Sequence, residues 1–308
     1  MPITLALEEY DRTRGLIDGR VAVPDVRPIV IGSGPRHERM LLERAYDAAE
    51  LSMASYIMAR SQGASLTAIP VFPRRLFSPS CVYVRRGITA PAQLVGGRVG
   101  VYSLQFTMSV QARGDLHHHF GLPMGSVTWV RAGREIMPHG SPLRVEDRPG
   151  ADLWDSLAAG GMDAVISPDV PQAFEGGRVA RLFPAFAPVE RDLWARTGVY
   201  PIMHTVAIQA DAVAARPSLP EELFEAFVRA KALGAQHFRQ PHATSLVWGR
   251  AALEEQEALL GDPFPYDLDA ANRRALEQLM RYQVEQGFLE HTLALDELFT
   301  PVPARGGS

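Results

Sequence analysis

The chain has 308 residues, a hydrophobic content of 46% and a formal net charge of −4. This length is enough to bury a core and suggests about two domains. A slightly acidic chain gives no overall attraction to nucleic acid or to an acidic membrane, and the sequence contains no basic run or RNA-binding signature. These features exclude neither a small anionic ligand nor a substrate of that kind.

Cysteine content and hydropathy bear on where the protein works. The one cysteine, Cys81, allows no internal disulfide, so nothing in the sequence favours an oxidising compartment. It lies in the apolar run SCVYV, and we interpret it as a buried strand residue. The amino terminus lacks the pattern of a secretory signal, and no window approaches a membrane span. We therefore expect a soluble, cytoplasmic protein.

Short apolar runs alternate with helical patterns along the first part of the chain. The apolar runs predict strands at residues 3–7, 29–31, 48–51 and 67–72. The helical patterns lie near residue 10 and over residues 37–45 and 53–60. This alternation is typical of an α/β fold.

We expect the working centre of the protein in residues 46–80. Ser52 is a good N-cap residue between a strand and a helix, and such a helix start presents free N–H groups that attract anions. Arg74 and Arg75 follow the next strand, and open α/β sheets bind ligands at the carboxyl ends of their strands. The alternative is that both arginines are solvated loop charges.

A second strand and helix pattern starts at Arg98. It predicts strands at residues 98–103, 127–130, 162–167 and 179–183 and helices at residues 106–118 and 152–159. Residues 140–150 are rich in proline and charge and predict an exposed loop. An apolar strand over residues 197–209 follows, and the rest of the chain is mainly helical.

This order of elements predicts an α/β fold of two lobes joined by two hinge crossings, near residues 95 and 203. Lobe I comprises residues 1–95 and 204–308, and lobe II comprises residues 96–203. Strands that alternate with helices favour largely parallel sheets covered on both faces. Clefts between domains are common sites for small ligands, so we expect the ligand to bind between the lobes.

Several motifs together resemble those of the 4,5-dihydroxyphthalate decarboxylase family, whose members share the two-lobed architecture of type II periplasmic binding proteins. The resemblance extends from about residue 3 to residue 299, and its most specific part is the combination of IPVFPRR with TGVYPIMH. Its other segments are YDAAELSMASYIMARSQG, RVGVYSLQFT, GADLWDSLAAGGMDAVISP, and DPFPYDLDAANR with EQGF. One departure is that Tyr102, Ser103 and Leu104 replace a typical Pro-Glu-Tyr.

The resemblance implies a non-oxidative decarboxylase of a hydroxylated aromatic acid, with 4,5-dihydroxyphthalate converted to 3,4-dihydroxybenzoate, or a close analogue of that reaction. A phenolic oxygen para to the departing carboxylate supplies the electrons, so no flavin, thiamine or pyridoxal cofactor is required. The site then needs a cation for the retained carboxylate and groups that move protons. Two alternatives stay open: a solute-binding protein that closes on a small organic anion without catalysis, and a related lyase of a non-aromatic acid.

His204 and Glu50 are the candidate catalytic residues. His204 lies at the return crossing, and an imidazole titrates near neutral pH. The alternative for His204 is a histidine whose bonds are satisfied within the core. Glu50 lies in the central stretch and is a candidate base, with an internal ion pair as its alternative.

Arginine, hydroxyl and amide side chains are the candidate substrate-binding groups. A guanidinium fork matches the two oxygens of a carboxylate. Adjacent residues of an extended chain point in opposite directions, so we expect only one of the two neighbouring arginines to face the cleft. The candidates are Arg74, Arg75, Ser52, Ser80, Gln105, Thr107 and Arg131. An ordinary loop, a helix cap and a surface loop are the respective alternatives for Gln105, Thr107 and Arg131.

The run of His117, His118 and His119 does not predict a metal site, because consecutive helical residues point about 100° apart. We expect no metal ligands and no organic cofactor, while a metal requirement stays open. The expected partner is a small aromatic carboxylate rather than a nucleic acid or a membrane. A homo-oligomer is compatible with the sequence.

Overall fold

The computed structural model of the protein describes residues 2–175, 177–240 and 244–302. In chain order, the strands are β1 (Ile3–Leu7), β2 (Val26–Val30), β3 (Ala48–Ser52), β4 (Leu66–Ile69), β5 (Val82–Arg85), β6 (Arg98–Val101), β7 (Thr128–Arg131), β8 (Val145–Asp147), β9 (Ala164–Ile166), β10 (Val179–Arg181) and β11 (His204–Gln209). The helices are α1 (Asp11–Ile17), α2 (Ser33–Leu42), α3 (Met53–Ser61), α4 (Thr107–His118), α5 (Leu153–Ala158), α6 (Gln172–Glu175), α7 (Phe186–Thr197), α8 (Ala210–Ala215), α9 (Leu219–Arg239), α10 (Gly249–Leu260), α11 (Ala270–Glu285) and α12 (Leu295–Leu298).

The strands form two separate sheets, which give the chain its two lobes. The first sheet has the strand order β2-β1-β3-β11-β4 and the second has the order β10-β5-β9-β6-β7-β8. In the first sheet, β1 runs parallel to β2 and β3. In the second sheet, β6 runs parallel to β7 and β9, and β7 runs parallel to β8. The strands that enter each sheet from the other lobe, β5 and β11, run antiparallel to their neighbours. The predicted α/β architecture of two lobes is therefore observed, with antiparallel pairing where the chain crosses.

The first crossing lies earlier in the chain than the sequence analysis placed it. A division at residue 95 assigns β5 to lobe I, whereas the backbone of β5 pairs with β9 and β10 in the second sheet. The crossing therefore falls between β4 and β5, and the break near residue 95 is a connection inside lobe II. The second crossing falls between β10 and β11, an interval that includes residue 203.

Two elements differ from the sequence-based expectation for physical reasons. β8 lies within the stretch 140–150 that was predicted to be a loop. Its sequence, VED, shows no apolar alternation, because it is an edge strand that pairs with β7 through its backbone. Helix α7 was not predicted, since Leu193 is its one buried residue and no apolar stripe marks it. Cys81 is buried as expected, in a short 3₁₀ turn just before β5.

Helices cover the sheets and join the lobes. Helix α9 packs on α1 within lobe I, whereas α11 contacts both α3 and α4, one helix from each lobe. Helix α11 buries an apolar stripe that includes Leu276, Leu279 and Met280, which indicates a packing role. Among the described helices, none has both the length and the apolar character needed to cross a membrane.

Candidate active site

A cleft of about 700 Å³ lies between the lobes and is lined from both sides. Lobe I contributes Glu8, Ser33 and Arg74, which follow the carboxyl ends of β1, β2 and β4. Lobe II contributes residues at the starts of α4 and α5, among them Thr107 and Asp152. The cleft therefore occupies the strand ends at which open α/β folds bind ligands.

The start of β11 brings His204 to the same edge of the first sheet. β11 runs antiparallel to β3, so its amino end lies beside the carboxyl end of β3, where His204 pairs with Ser52. The backbone carbonyl of Arg74 accepts hydrogen bonds from the N–H groups of Met203 at 2.9 Å and His204 at 3.2 Å. These bonds tie the two crossings together and place Arg74 next to His204 along the cleft wall.

A buried carboxylate orients the His204 ring. Oε1 of Glu50 lies 2.5 Å from Nδ1 of His204, and the two residues are only 1% and 6% exposed. Burial lowers the pKa of His204 below its usual value, although the Glu50 carboxylate opposes that shift. When Nδ1–H donates to Glu50, the neutral ring keeps a lone pair on Nε2. Because His204 lines the cleft, this lone pair can accept a proton from a molecule bound there.

Glu50 is held as a carboxylate by a buried cation and several donors. Nη2 of the fully buried Arg36 lies 3.4 Å from Oε1 of Glu50, and the Tyr10 hydroxyl donates to the same oxygen at 2.9 Å. The backbone N–H of Glu8 donates to Oε2 at 3.1 Å. Burial raises the pKa of Glu50, but Arg36 and the hydrogen bond from His204 outweigh burial and lower the pKa to about 2. Glu50 does not line the cleft, and it combines an internal ion pair with a contact to His204.

Ser52 and Thr107 connect the lobes at the cleft. Their hydroxyl oxygens are 2.9 Å apart. The N–H of Thr107 donates to the Ser52 hydroxyl at 3.3 Å, and the N–H of Ala54 donates to the Thr107 hydroxyl at 3.0 Å. Each side chain therefore satisfies a donor in the first turn of the helix on the opposite lobe. Both residues also line the cleft.

The cleft wall suits an organic anion. Arg74 is partly exposed there, with Nη1 3.4 Å from the Ser33 hydroxyl and 4.0 Å from a carboxylate oxygen of Glu8. Ser33 in turn donates to Glu8 at 2.6 Å. Arg74 lines the cleft, where its guanidinium N–H groups can bind a carboxylate. The first turns of α2 and α4 also line the cleft, and helix N-termini carry partial positive charge.

The wall formed by lobe II offers an aromatic surface. Tyr102 lines the cleft and is 57% exposed, which is unusual for so large an apolar ring. It stacks on Phe106, with ring centroids 6.0 Å apart and an angle of 22° between the planes. Aromatic rings favour such offset stacking, so a planar aromatic ligand has a matching surface in the cleft.

His37 also lines the cleft, although it is only 2% exposed. Its ring lies edge-to-face against that of His204, with centroids 5.0 Å apart, and against Phe106 at 5.7 Å. Burial and the nearby His204, Arg36 and Arg74 side chains lower the pKa of His37 well below its usual value. The ring is therefore neutral near pH 7.

Four of the predicted substrate-binding residues do not line the cleft, and the first two serve the crossing region. Arg75 is 4% exposed, and it donates to Oδ1 of Asn272 at 2.8 Å and to the Tyr200 carbonyl. It points away from Arg74 because the chain is extended there. Ser80 donates through its hydroxyl to the Phe77 carbonyl at 3.3 Å. Both residues were expected to contact a ligand, but in the structure they bind other residues of the protein.

The other two residues outside the cleft lining, Gln105 and Arg131, are held by a carboxylate of lobe II. Nε2 of Gln105 donates to Glu135 at 2.7 Å, and Nη1 of Arg131 lies 3.3 Å from the same carboxylate. Arg131 also pairs with Asp147 at 2.7 Å. Glu135 thus fixes the loop between β6 and α4. Gln105 and Arg131 bind this carboxylate and do not face the cleft as expected.

Several cleft residues were missed by the sequence analysis, namely Glu8, Ser33, His37 and Tyr102. For Glu8, Ser33 and Tyr102, the position at or just after the end of a predicted strand was a usable signal. Glu8 directly follows β1, and Ser33 follows β2 in a GSGP segment that matches no nucleotide-binding pattern. The rule that ligands bind at the carboxyl ends of strands applies to β1 and β2 as it does to β4. The same rule applies to Tyr102, which directly follows β6. For His37 the sequence carries no comparable signal.

The described residues contain no group of three or more His, Cys, Asp or Glu side chains placed to hold a metal ion. In the histidine run, Nε2 of His118 lies 2.6 Å from a carboxylate oxygen of Glu285, and its ring stacks on Tyr282. The run therefore packs against α11.

No protein-family model matches the chain. Among curated proteins, the chain is similar to a 4,5-dihydroxyphthalate decarboxylase of Comamonas testosteroni, with 32% identity over 320 residues that cover 98% of this chain and 97% of that protein. It is also similar to a 4,5-dihydroxyphthalate decarboxylase of Pseudomonas putida, with 36% identity over 189 residues that cover 57% of this chain and 73% of that protein.

Solved structures share the fold at low identity. The CA3427 gene product of Candida albicans, described as having the generic periplasmic binding protein fold, matches with a TM-score of 0.60 and 12% identity over 100% of this chain and 99% of that one. The periplasmic aliphatic sulphonate binding protein SsuA of Escherichia coli matches with a TM-score of 0.58 and 13% identity over 100% of this chain and 94% of that one. These matches confirm the predicted type II periplasmic-binding-protein-like architecture.

The structural matches and the sequence matches support different conclusions about this chain. The structural matches are too distant in sequence to indicate more than architecture. The similarity to the Comamonas testosteroni protein, in contrast, extends over nearly the full length of both chains at 32% identity. The chain therefore belongs to the 4,5-dihydroxyphthalate decarboxylase family.

Proposed function

We propose that this protein is a non-oxidative carboxy-lyase that converts 4,5-dihydroxyphthalate, or a close analogue, to 3,4-dihydroxybenzoate and carbon dioxide. The observation that carries the proposal is the Glu50–His204 pair, whose imidazole lines a cleft beside Arg74. An oriented imidazole can move a proton, and a guanidinium can hold a carboxylate. The proposal includes a cytoplasmic location, because the relatives that match this chain are named as decarboxylases and not as transport components.

His204 acts first as a base in the proposed mechanism. Nε2 takes the proton of the phenolic hydroxyl that lies para to the departing carboxylate. The imidazolium that forms is stabilised by the Glu50 carboxylate, which accepts the Nδ1–H bond. A histidine held in this way by a buried carboxylate keeps one tautomer and one orientation, as the transfer requires.

Carbon dioxide leaves in the second stage. The phenolate oxygen donates electrons into the ring, and the ring carbon that bears the departing carboxylate takes up a proton from solvent. The bond between that carbon and the carboxylate then breaks, its electron pair restores the aromatic ring, and His204 returns its proton to the phenolate. One proton is consumed and one carbon dioxide molecule is released in each turnover.

The retained carboxylate binds on the Arg74 side of the cleft in this proposal. Arg74 and the first turn of α4 supply positive charge from the two lobes. The Tyr102 and Phe106 rings supply a surface for the aromatic ring of the substrate. Closure of the lobes on the substrate narrows the cleft and strengthens these electrostatic contacts, while solvent still supplies the proton for the ring carbon.

The proposal is tested by incubating the purified protein with 4,5-dihydroxyphthalate, with and without a chelator. Carbon dioxide release and the formation of 3,4-dihydroxybenzoate are followed together. We expect both products in equal amounts. Tight binding without release indicates the solute-binding alternative instead, and loss of activity on chelation alone indicates a metal requirement.

Substitution of Arg74 tests the carboxylate contact. We expect Arg74→Ala to raise KM by roughly 10- to 100-fold, because a hydrogen bond to a charged group contributes about 1.5–3 kcal/mol. Arg74→Lys keeps the charge without the fork and is expected to fall between. The matched control is Arg39→Ala, which changes an exposed arginine of α2 outside the cleft lining. Steady-state kinetics that show the same KM for Arg74→Ala and the wild type contradict this assignment.

A further inference from the structure

His37 is an unexplained polar group in the cleft wall. It lies in the second turn of α2, and its ring is flanked by His204 and Phe106. Both ring nitrogens are buried, and neither has a hydrogen-bond partner among the described residues. An imidazole buried in this way costs free energy that an apolar side chain of the same size does not cost. The great majority of buried polar groups are paired, so a partner absent from the free protein is a natural explanation.

The chemical state of His37 limits what that partner is. The ring is neutral, because burial and the nearby cations Arg36 and Arg74 disfavour a second proton. A neutral imidazole offers one N–H donor and one acceptor lone pair. A phenolic hydroxyl donates and accepts, so it pairs with such a ring, whereas a carboxylate without a proton only accepts.

We propose that His37 recognises the second phenolic hydroxyl of the substrate, adjacent to the hydroxyl whose proton His204 takes. This inference rests on the proposed function. Two imidazoles with centroids 5.0 Å apart on one cleft wall match two hydroxyls on neighbouring ring carbons. His37 lines the cleft, and the broad χ2 torsion of histidine lets a nitrogen turn to the ligand. His37 therefore determines specificity for a vicinal dihydroxy acid over a monohydroxy acid.

The test compares three proteins on two substrates. 4-Hydroxyphthalate keeps a hydroxyl para to one carboxylate and lacks the second hydroxyl. We expect the wild type to prefer 4,5-dihydroxyphthalate in kcat/KM by roughly 10- to 100-fold, because the monohydroxy compound leaves His37 unpaired. His37→Phe, which keeps an aromatic ring of similar size, is expected to lose most of that preference by a selective loss on the dihydroxy substrate. His37→Gln keeps a donor and an acceptor and is expected to retain the preference.

Thermal unfolding establishes that each variant is folded, and the ratio of the two substrates separates recognition from damage. If His37→Phe lowers kcat/KM equally on both substrates, the inference is overturned, since a purely structural role predicts that result. If the wild type releases no carbon dioxide from either compound, the proposed function fails, and the same comparison is made by calorimetric binding of the two acids. A binding preference for the dihydroxy acid that His37→Phe removes then supports the role of His37. Equal affinities in all three proteins overturn it.

Discussion

The His204→Ala enzyme is expected to fold normally and to lose roughly 10²- to 10⁴-fold in kcat, the range that a positioned acid–base group contributes. KM is expected to change much less, because Arg74 and the helix N-termini still bind the carboxylate. The variant leaves Glu50 paired with Arg36 and Tyr10, so no buried charge loses all its partners. Stopped assays of 3,4-dihydroxybenzoate formation, together with thermal unfolding, check both expectations.

The control for this prediction is His117→Asn, which alters the histidine run outside the cleft lining. It is expected to keep wild-type turnover.

The wild-type rate is also expected to rise with pH as His204 loses its extra proton, since only the neutral ring accepts a proton from the phenol. That rise belongs below the usual imidazole pKa, because burial lowers the pKa of His204. Full turnover by folded His204→Ala contradicts the proposed role of the imidazole.

The second large effect is expected from Glu50→Gln. Breaking a buried ion pair by removing one partner costs about 3–5 kcal/mol, because the remaining charge is left in a nonpolar environment. Arg36 is fully buried but keeps a contact of 3.5 Å with the partly exposed Glu8 carboxylate. We therefore expect a loss at the lower end of this range, about 3 kcal/mol in the free energy of unfolding, measured by denaturant titration. Turnover is expected to fall as well, since the amide no longer stabilises the His204 imidazolium.

The pH dependence of stability gives an independent check on Glu50. Its pKa is lowered from 4.5 to about 2 in the folded protein, so its contribution is fully present above the unfolded value and is lost as pH falls towards 2. Glu50→Gln is expected to flatten this part of the stability curve. Glu43→Gln, which changes an exposed carboxylate paired with Arg39, is expected to change stability by less than about 0.5 kcal/mol.

A double variant separates the ion pair from simple packing damage. The Arg36→Met substitution removes the buried charge whose partner Glu50→Gln takes away, and with it the cost of keeping that charge out of water. Glu50→Gln combined with Arg36→Met is therefore expected to recover part of the stability that Glu50→Gln loses. If the double variant is less stable than Glu50→Gln by the full cost of Arg36→Met alone, the two residues do not interact energetically, and the assigned role of Arg36 is wrong.

The positions that Ser52, Arg74 and His204 take in the structure have local signals in the sequence. Ser52 caps α3 as its place between a strand and a helix suggests. Arg74 reaches the cleft and Arg75 turns away, as alternation along an extended chain requires. His204 reaches the cleft because the crossing strand β11 starts at the ligand edge of the sheet.

The rest of the site depends on contacts between distant parts of the chain. Arg36 and Glu50 belong to different elements, and only the packing of α2 on β3 makes them a buried pair. His37 follows Arg36 in a short polar helix, where nothing in the local pattern marks an unpaired ring. Gln105 and Arg131 are polar residues near strand ends, as ligand-binding groups would be. The carboxylate of Glu135 binds them instead, and that contact is invisible without the fold.

The most direct measurement is a turnover of 4,5-dihydroxyphthalate in deuterated water, followed by NMR of the product and by carbon dioxide release. Proton uptake at the ring predicts 3,4-dihydroxybenzoate with one deuteron, at the carbon that lost its carboxylate, for each carbon dioxide released by the wild type. The same product is expected to be greatly reduced with His204→Ala. Recovery of unchanged substrate from a protein that binds it tightly contradicts the account and leaves a binding protein in its place.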